Sequence, residues 1–202
     1  NSLYRDPLLG KDAAIKALSF SSPHIDDIRS DVARSIGQVL NSSRDRMDKA
    51  IGLELLNLAY DSLKQNLELH PMDIRNQLSL AQLGQMGLLL SKDPRYLVDA
   101  EGFLQDALAY SPKRQQILYM LASVKLQLGK TAESISLIQT ALNSDPKVAE
   151  SYWRLAYTYY IDGQKEKAKE ILFWAERNNI TFDENGKNVA QTVNSDAGAK
   201  NK

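Results

Sequence analysis

The 202 residues predict an all-α right-handed superhelix, a solenoid of antiparallel helix pairs. Three observations carry this. Pro112 and Pro146 stand 34 residues apart, and the residues after each agree at the same offset: Leu118 with Tyr152, Leu121 with Leu155, Ala122 with Ala156, Gly129 with Gly163, Ile138 with Leu172 and Ala141 with Ala175. A fixed period of this length marks stacked supersecondary units. Within each period, apolar residues recur at helical spacing on either side of a glycine, which divides the period into two helices. The small residues Ala122, Ala141, Ala156, Ala168 and Ala175 fall where two helices cross closely, and a larger side chain there would push the axes apart.

The elements follow in order. Lys11–Phe20 reads as a second helix without its first, giving a partial unit over residues 11–23. The complete units run over about 24–71, 72–112, 113–146 and 147–180. Successive prolines at 23, 71, 112 and 146 are 48, 41 and 34 residues apart, so the N-terminal units are longer. The excess is assigned to lengthened helices or to longer turns at Asn41–Arg46 and Leu90–Tyr96, with Asp93-Pro94 restarting a second helix. In the two regular units the first helix is expected to open at Ser111-Pro112 or Asp145-Pro146, with proline at the first helical position, and to close on a left-handed Gly129 or Gly163. Residues 1–181 thus form one repeat domain. The stretch 182–202 is polar and without periodicity, which predicts a disordered tail. The chain opens inside a second helix, as a cut fragment would.

Composition excludes several classes of function. Twenty-five basic and 25 acidic residues cancel and no long run of one sign occurs, so the footprint of a nucleic-acid binder is missing. There is no cysteine, which removes disulfides and thiolate metal sites. No segment is long and apolar enough to span a bilayer. "GKT" at Gly129–Thr131 ends like a phosphate loop, but Val124 occupies the place of the required first glycine. "LGQMG" at Leu83–Gly87 puts Gly84 and Gly87 on one helix face, which suits close helix contact. His24 and His70 flank prolines at helix junctions, far apart in sequence, and no paired-histidine or nucleophile-base pattern exists. The charges of "GQKEKAKE" lie on the solvated face around Ala168 and Leu172. No catalysis, cofactor or metal is expected.

The pattern Leu118, Leu121, Ala122, Lys125, Ser134, Ile138, Ala141, Pro146, followed by Tyr152, Leu155, Ala156, Tyr159, Ala168, Leu172 and Ala175, resembles the tetratricopeptide repeat family. Lys125 departs from its aromatic position and Ser134 from its alanine position. The resemblance implies a binding scaffold whose first helices line a concave surface. The positions that touch ligand correspond to Tyr119, Ser123, Leu126 and Gln127 in one unit, to Trp153, Tyr157, Tyr160 and Ile161 in the next, and to Leu78, Gln82 and Gln85 in a stretched one. The Lys and Asn pair that grips a peptide carboxylate in some members is absent, so the expected partner is a protein or peptide with apolar or aromatic contacts. Trp153, Tyr157 and Tyr160 follow at i, i+4 and i+7 on a second face of their helix, so either they form an aromatic groove or a neighbouring helix or the tail covers them.

Over residues 11–180 the chain also resembles the soluble repeat region of bacterial membrane proteins of the O-antigen ligase and polymerase type. That resemblance implies an accessory domain on the extracytoplasmic face, tethered to membrane spans outside this stretch. Without it, a cytoplasmic scaffold is the expectation.

Overall fold

The computed structural model describes residues 7–43 and 47–195, and every regular element among them is an α-helix. In chain order these are α1 (Pro7–Leu18), α2 (Ile25–Ser43), α3 (Lys49–Leu69), α4 (Ile74–Ser91), α5 (Arg95–Tyr110), α6 (Gln115–Gln127), α7 (Thr131–Ser144), α8 (Ala149–Ile161), α9 (Lys165–Arg177) and α10 (Glu184–Ser195). They pack as successive pairs, α2 with α3, α4 with α5, α6 with α7 and α8 with α9, which is the expected helical repeat. Where the sequence suggests one domain over 1–181, the helices gather into two compact units, Asn1–Tyr110 and Ser111–Lys202.

In the first unit, α1 lies against α2 and α3, and the Lys11 ammonium meets the Glu54 carboxylate at 2.5 Å. Ile36, Leu55, Leu56, Ala59, Leu63 and Leu80 form the centre of its core. Aspartates start its helices: Asp48 Oδ1 accepts from the Ala50 and Ile51 amides, and Asp73 Oδ1 from those of Arg75 and Asn76. Both glycines of "LGQMG" sit at the α4–α5 crossing. A Cβ on Gly84 would lie 2.6 Å from the Tyr96 carbonyl oxygen and 3.0 Å from the Ala100 methyl, and one on Gly87 would run into the Tyr96 ring. These glycines let the two backbones touch.

The added length of the first unit is helical. Helices α4 and α5 have 18 and 16 residues, against 13 and 14 in α6 and α7. The turn expected over Leu90–Tyr96 is only residues 92–94. Of the turn expected at Asn41–Arg46, Asn41–Ser43 belong to α2 and 44–46 lie outside the described residues.

In the second unit, Gly129 and Gly163 close α6 and α8 with φ of 75° and 77°. The next amides, Lys130 and Gln164, reach back to the carbonyls of Lys125 and Tyr159 at 2.8 and 2.9 Å, so the helix ends bond themselves. The helix starts differ from expectation. Pro112 and Pro146 do not occupy the first helical position; each sits in a turn three residues ahead of α6 or α8. The Ser111 carbonyl accepts the Arg114 amide at 3.2 Å and the Asp145 carboxylate accepts the Lys147 amide at 3.0 Å. Proline's fixed φ serves this turn equally well. The alanine spacers are all buried, and at the departing position Ser134 donates its hydroxyl to the Ala122 carbonyl at 2.8 Å.

The stretch expected to be a disordered tail contains α10. Phe182, Gly186, Val189, Ala190 and Val193 recur at helical spacing, and Val193 is buried with Ala156, Ala168 and Leu172. Asp183 Oδ1 accepts the Gly186 amide at 2.9 Å and starts the helix. Packing on α8 and α9 supplies what the weak apolar content of this segment lacks on its own. Residues 196–202 lie outside the described residues.

Candidate functional site

On α6, Tyr119, Ser123 and Leu126 recur at i, i+4 and i+7, and on α8 Trp153 and Tyr157 stand at i and i+4. The structure brings these five expected residues around one small cleft of about 130 Å³, which Arg154, Thr158, Ala122, Ser134 and Ile138 also line. Gln127 is not part of its lining but donates to the Ser123 hydroxyl at 3.3 Å. Tyr160 packs instead against the cluster of Ala156, Ala168, Leu172 and Val193. Ile161 is exposed at the end of α8.

The three rings do not form an open strip. Tyr119 is 5% exposed, its hydroxyl pairs with Ser151 Oγ at 2.6 Å, and burial pushes its phenol up from its ordinary pKa. The Arg154 guanidinium lies over the Tyr119 ring at 5.2 Å and over the Trp153 ring at 4.6 Å, held in place by Glu150 at 2.7 Å. Trp153 is then covered by α10: a Cβ on Gly186 would come within 2.7 Å of its Cδ1. Trp153 remains half-buried, and Tyr157, at 41%, presents its ring to solvent. Among the α8 rings Trp153 is partly covered by α10, while Tyr157 stays open.

A larger cleft, about 930 Å³, lies in the first unit between its two first helices, α2 and α4. Gln82 and Gln85 line it from α4, whereas Leu78 of the same register is buried in the core. The facing wall is a polar stripe on α2, Asp27, Asp31, Arg34, Gln38 and Asn41, spaced i, i+4, i+7, i+11 and i+14. Of the cleft's charges, Arg34 pairs with Asp31 and Arg75 with Asp73, while Asp27 has only His24 Nδ1 nearby, at 3.9 Å, among the described residues. At its floor the buried Asn76 accepts from Ser30, and Asn66 Nδ2 donates to Ser30 Oγ at 3.1 Å and to the Asp26 carbonyl at 2.7 Å. The α2 wall is absent from the sequence reading, because the first unit lacks the 34-residue spacing used to register the others. The stripe at helical intervals was the available signal.

His24 is exposed, and His70 ends α3 with Nε2 3.5 Å from Asp26. No cluster of three or more metal-ligating side chains occurs among the described residues, and none of their helices is long and apolar enough to cross a membrane.

Residues 97–156 match a tetratricopeptide repeat model, and residues 149–172 match a second one. Together the two matches cover residues 97–172, less than half of the chain. Tetratricopeptide proteins also stand among the solved structures that share the fold. A thermophilic TPR protein from Thermus thermophilus is 17% identical, with a TM-score of 0.58 over 95% of this chain and 97% of that one. A tetratricopeptide repeat protein from Parabacteroides merdae ATCC 43184 is 22% identical, with a TM-score of 0.52 over 82% of this chain and 62% of that one. MamA from Desulfovibrio magneticus RS-1, residue 41 to its end, is 17% identical, with a TM-score of 0.51 over 84% of this chain and 93% of that one. At these identities the likeness is one of fold. No curated protein sequence matches the chain. The resemblance to O-antigen ligases and polymerases finds no support in these matches.

Proposed function

We propose that the chain is a non-catalytic scaffold that binds an extended segment of a partner protein. Tetratricopeptide repeats generally mediate protein–protein interaction, and the observation that supports this mode here is the cleft between α2 and α4. Its amide and hydroxyl side chains can both donate and accept, as the main chain of an extended peptide requires at every residue. Its two arginines are each paired with an aspartate and Asp27 adds a single negative charge, so its net field is weak. From Asp27 to Asn41 the α2 wall is about 21 Å long, enough for about six extended residues. In the second unit the contacts fall to Ser123, Leu126, Gln127 and the exposed Tyr157, an apolar and aromatic opening to which Trp153 contributes only its uncovered edge.

Peptides selected by display on the intact chain test this reading. Binders should lose about tenfold or more in affinity with Ser79→Arg, which fills the α2–α4 cleft, or with Tyr157→Ala, at about 1.4 kcal/mol per decade. Lys167→Ala on the outer face of α9 should leave them unchanged. Binders indifferent to both cleft variants would refute it.

The accessory-domain reading, with a glycan or an assembly partner as ligand, rests on the sequence resemblance over 11–180. Membrane spans in the parent gene product would be its support, and a parent without them would remove it.

A further inference from the structure

Helix α10 occupies the face of α8 and α9 on which the first helix of another repeat would stack, and it is a poor helix by composition. Asn185, Gly186, Asn188, Thr192 and Asn194 all rank low in helix propensity, and only Gly186 and Val193 are buried. The seat beneath it is the stronger partner. It presents Ala156, Ala168 and Leu172 as a floor and Trp153 as a wall, with Tyr159, Tyr160 and Ile171 around them. The contact with Trp153 admits only glycine: a Cβ at Gly186 would lie 2.7 Å from Trp153 Cδ1 and 2.8 Å from Phe182 Cβ. A well-shaped apolar seat thus holds a helix with little stability of its own, and a short connection, residues 178–183, ties the two.

We infer that the α8–α9 face beneath α10 is a helix-docking surface, from which α10 is displaced by an amphipathic partner helix that sets a glycine against Trp153 and apolar residues three and seven positions further on. The pattern is that of Gly186, Val189 and Val193 themselves. A partner helix of higher propensity loses less conformational freedom on docking, while α10 competes through its tether, which supplies an effective concentration of roughly millimolar order. The seat shares Trp153 with the opening at Tyr157 but no residue with the α2–α4 cleft, so the effect of Ser79→Arg on peptide binding is read independently of its occupancy.

The experiment uses the full chain carrying Trp174→Phe, which leaves Trp153 as its one tryptophan. Hydrogen exchange should show the amides of 187–193 exchanging at least about tenfold faster than those of 155–160, because α10 opens without global unfolding. Adding Gly186→Leu should undock α10 and red-shift Trp153 emission while the helical content of α6–α9 remains. A synthetic peptide of residues 182–195, standing in for the partner helix, should then restore the blue-shifted emission saturably, with a dissociation constant of about 1 mM or below. The same peptide with the leucine should not. Val193→Asp serves as a second undocking variant. The inference falls if α10 exchanges only with global unfolding, if both variants unfold the unit, or if a folded variant fails to bind the wild-type peptide.

Discussion

Two glycine-to-alanine substitutions in the first unit should move stability in opposite directions. Gly84 and Gly102 are both helical, one in α4 and one in α5, so each gains about 1 kcal/mol of helix propensity on becoming alanine. At Gly102 nothing lies within 4 Å of the new methyl, and the gain stands alone. At Gly84 the methyl would sit 2.6 Å from the Tyr96 carbonyl oxygen and 3.0 Å from the Ala100 methyl. The first obstacle is backbone and cannot rotate away, so α4 and α5 must separate by several tenths of an ångström. Overpacking of this kind costs about 1–3 kcal/mol, and a backbone obstacle points to the upper part of that range. Gly84→Ala should therefore lose about 1–2 kcal/mol net, and Gly102→Ala should gain about 1 kcal/mol. Urea denaturation followed by far-ultraviolet circular dichroism compares the two. If Gly84→Ala is as stable as Gly102→Ala, the close approach of α4 and α5 is wrong.

Other consequences follow from buried polar groups and from the spacers. The Tyr60 hydroxyl is buried without a partner among the described residues, so Tyr60→Phe should be neutral or stabilise by up to about 1–3 kcal/mol in thermal denaturation. Burial, then the charge of Asp99, raises the Tyr60 pKa above its ordinary value. The unfolded phenol ionises near pH ~10 while the folded one keeps its proton, so the wild type should lose stability as pH climbs past about 10, and the variant should lose less. Lys125 is buried but pairs with Glu133, whose side chain is 56% exposed. Lys125→Met leaves that carboxylate in water, and its denaturation midpoint should shift by no more than about 1 kcal/mol equivalent in either direction. Ala156→Leu should cost about 1–3 kcal/mol because the site is fully buried under α10, whereas Lys167→Leu should be near neutral in the same titration.

The helices of the repeats were legible because each depends on local signals: the 34-residue recurrence, alanine at the crossings, and glycine where the backbone turns left-handed. Gly84 and Gly87 were legible as a close contact for the same reason, since their spacing places them on one face whatever they meet. The rings were harder to read. Tyr119 and Trp153 occupy the register that faces ligand in a regular array, yet Ser151, Arg154 and Gly186 cover them, and none of these belongs to the pattern that assigned the register. Helix α10 escaped notice because its order comes from α8 and α9 and not from its own composition. The α2–α4 cleft depends on how far apart two long helices lie, which no local spacing encodes. Pro112 and Pro146 illustrate a local ambiguity, because a fixed φ suits the turn and the first helical residue alike.

The turn that closes α6 and α8 on glycine has two other occupants. Lys92 after α4 and Asn179 after α9 adopt φ of 63° and 57°. A side chain in this conformation carries about 1–2 kcal/mol of strain, less for asparagine, while glycine there avoids the strain but frees the unfolded chain. The two effects nearly offset, so the turns are a place where a lineage of repeats can change its spelling at little thermodynamic cost. The crossings, where one methyl group decides the helix separation, give mutation no such freedom.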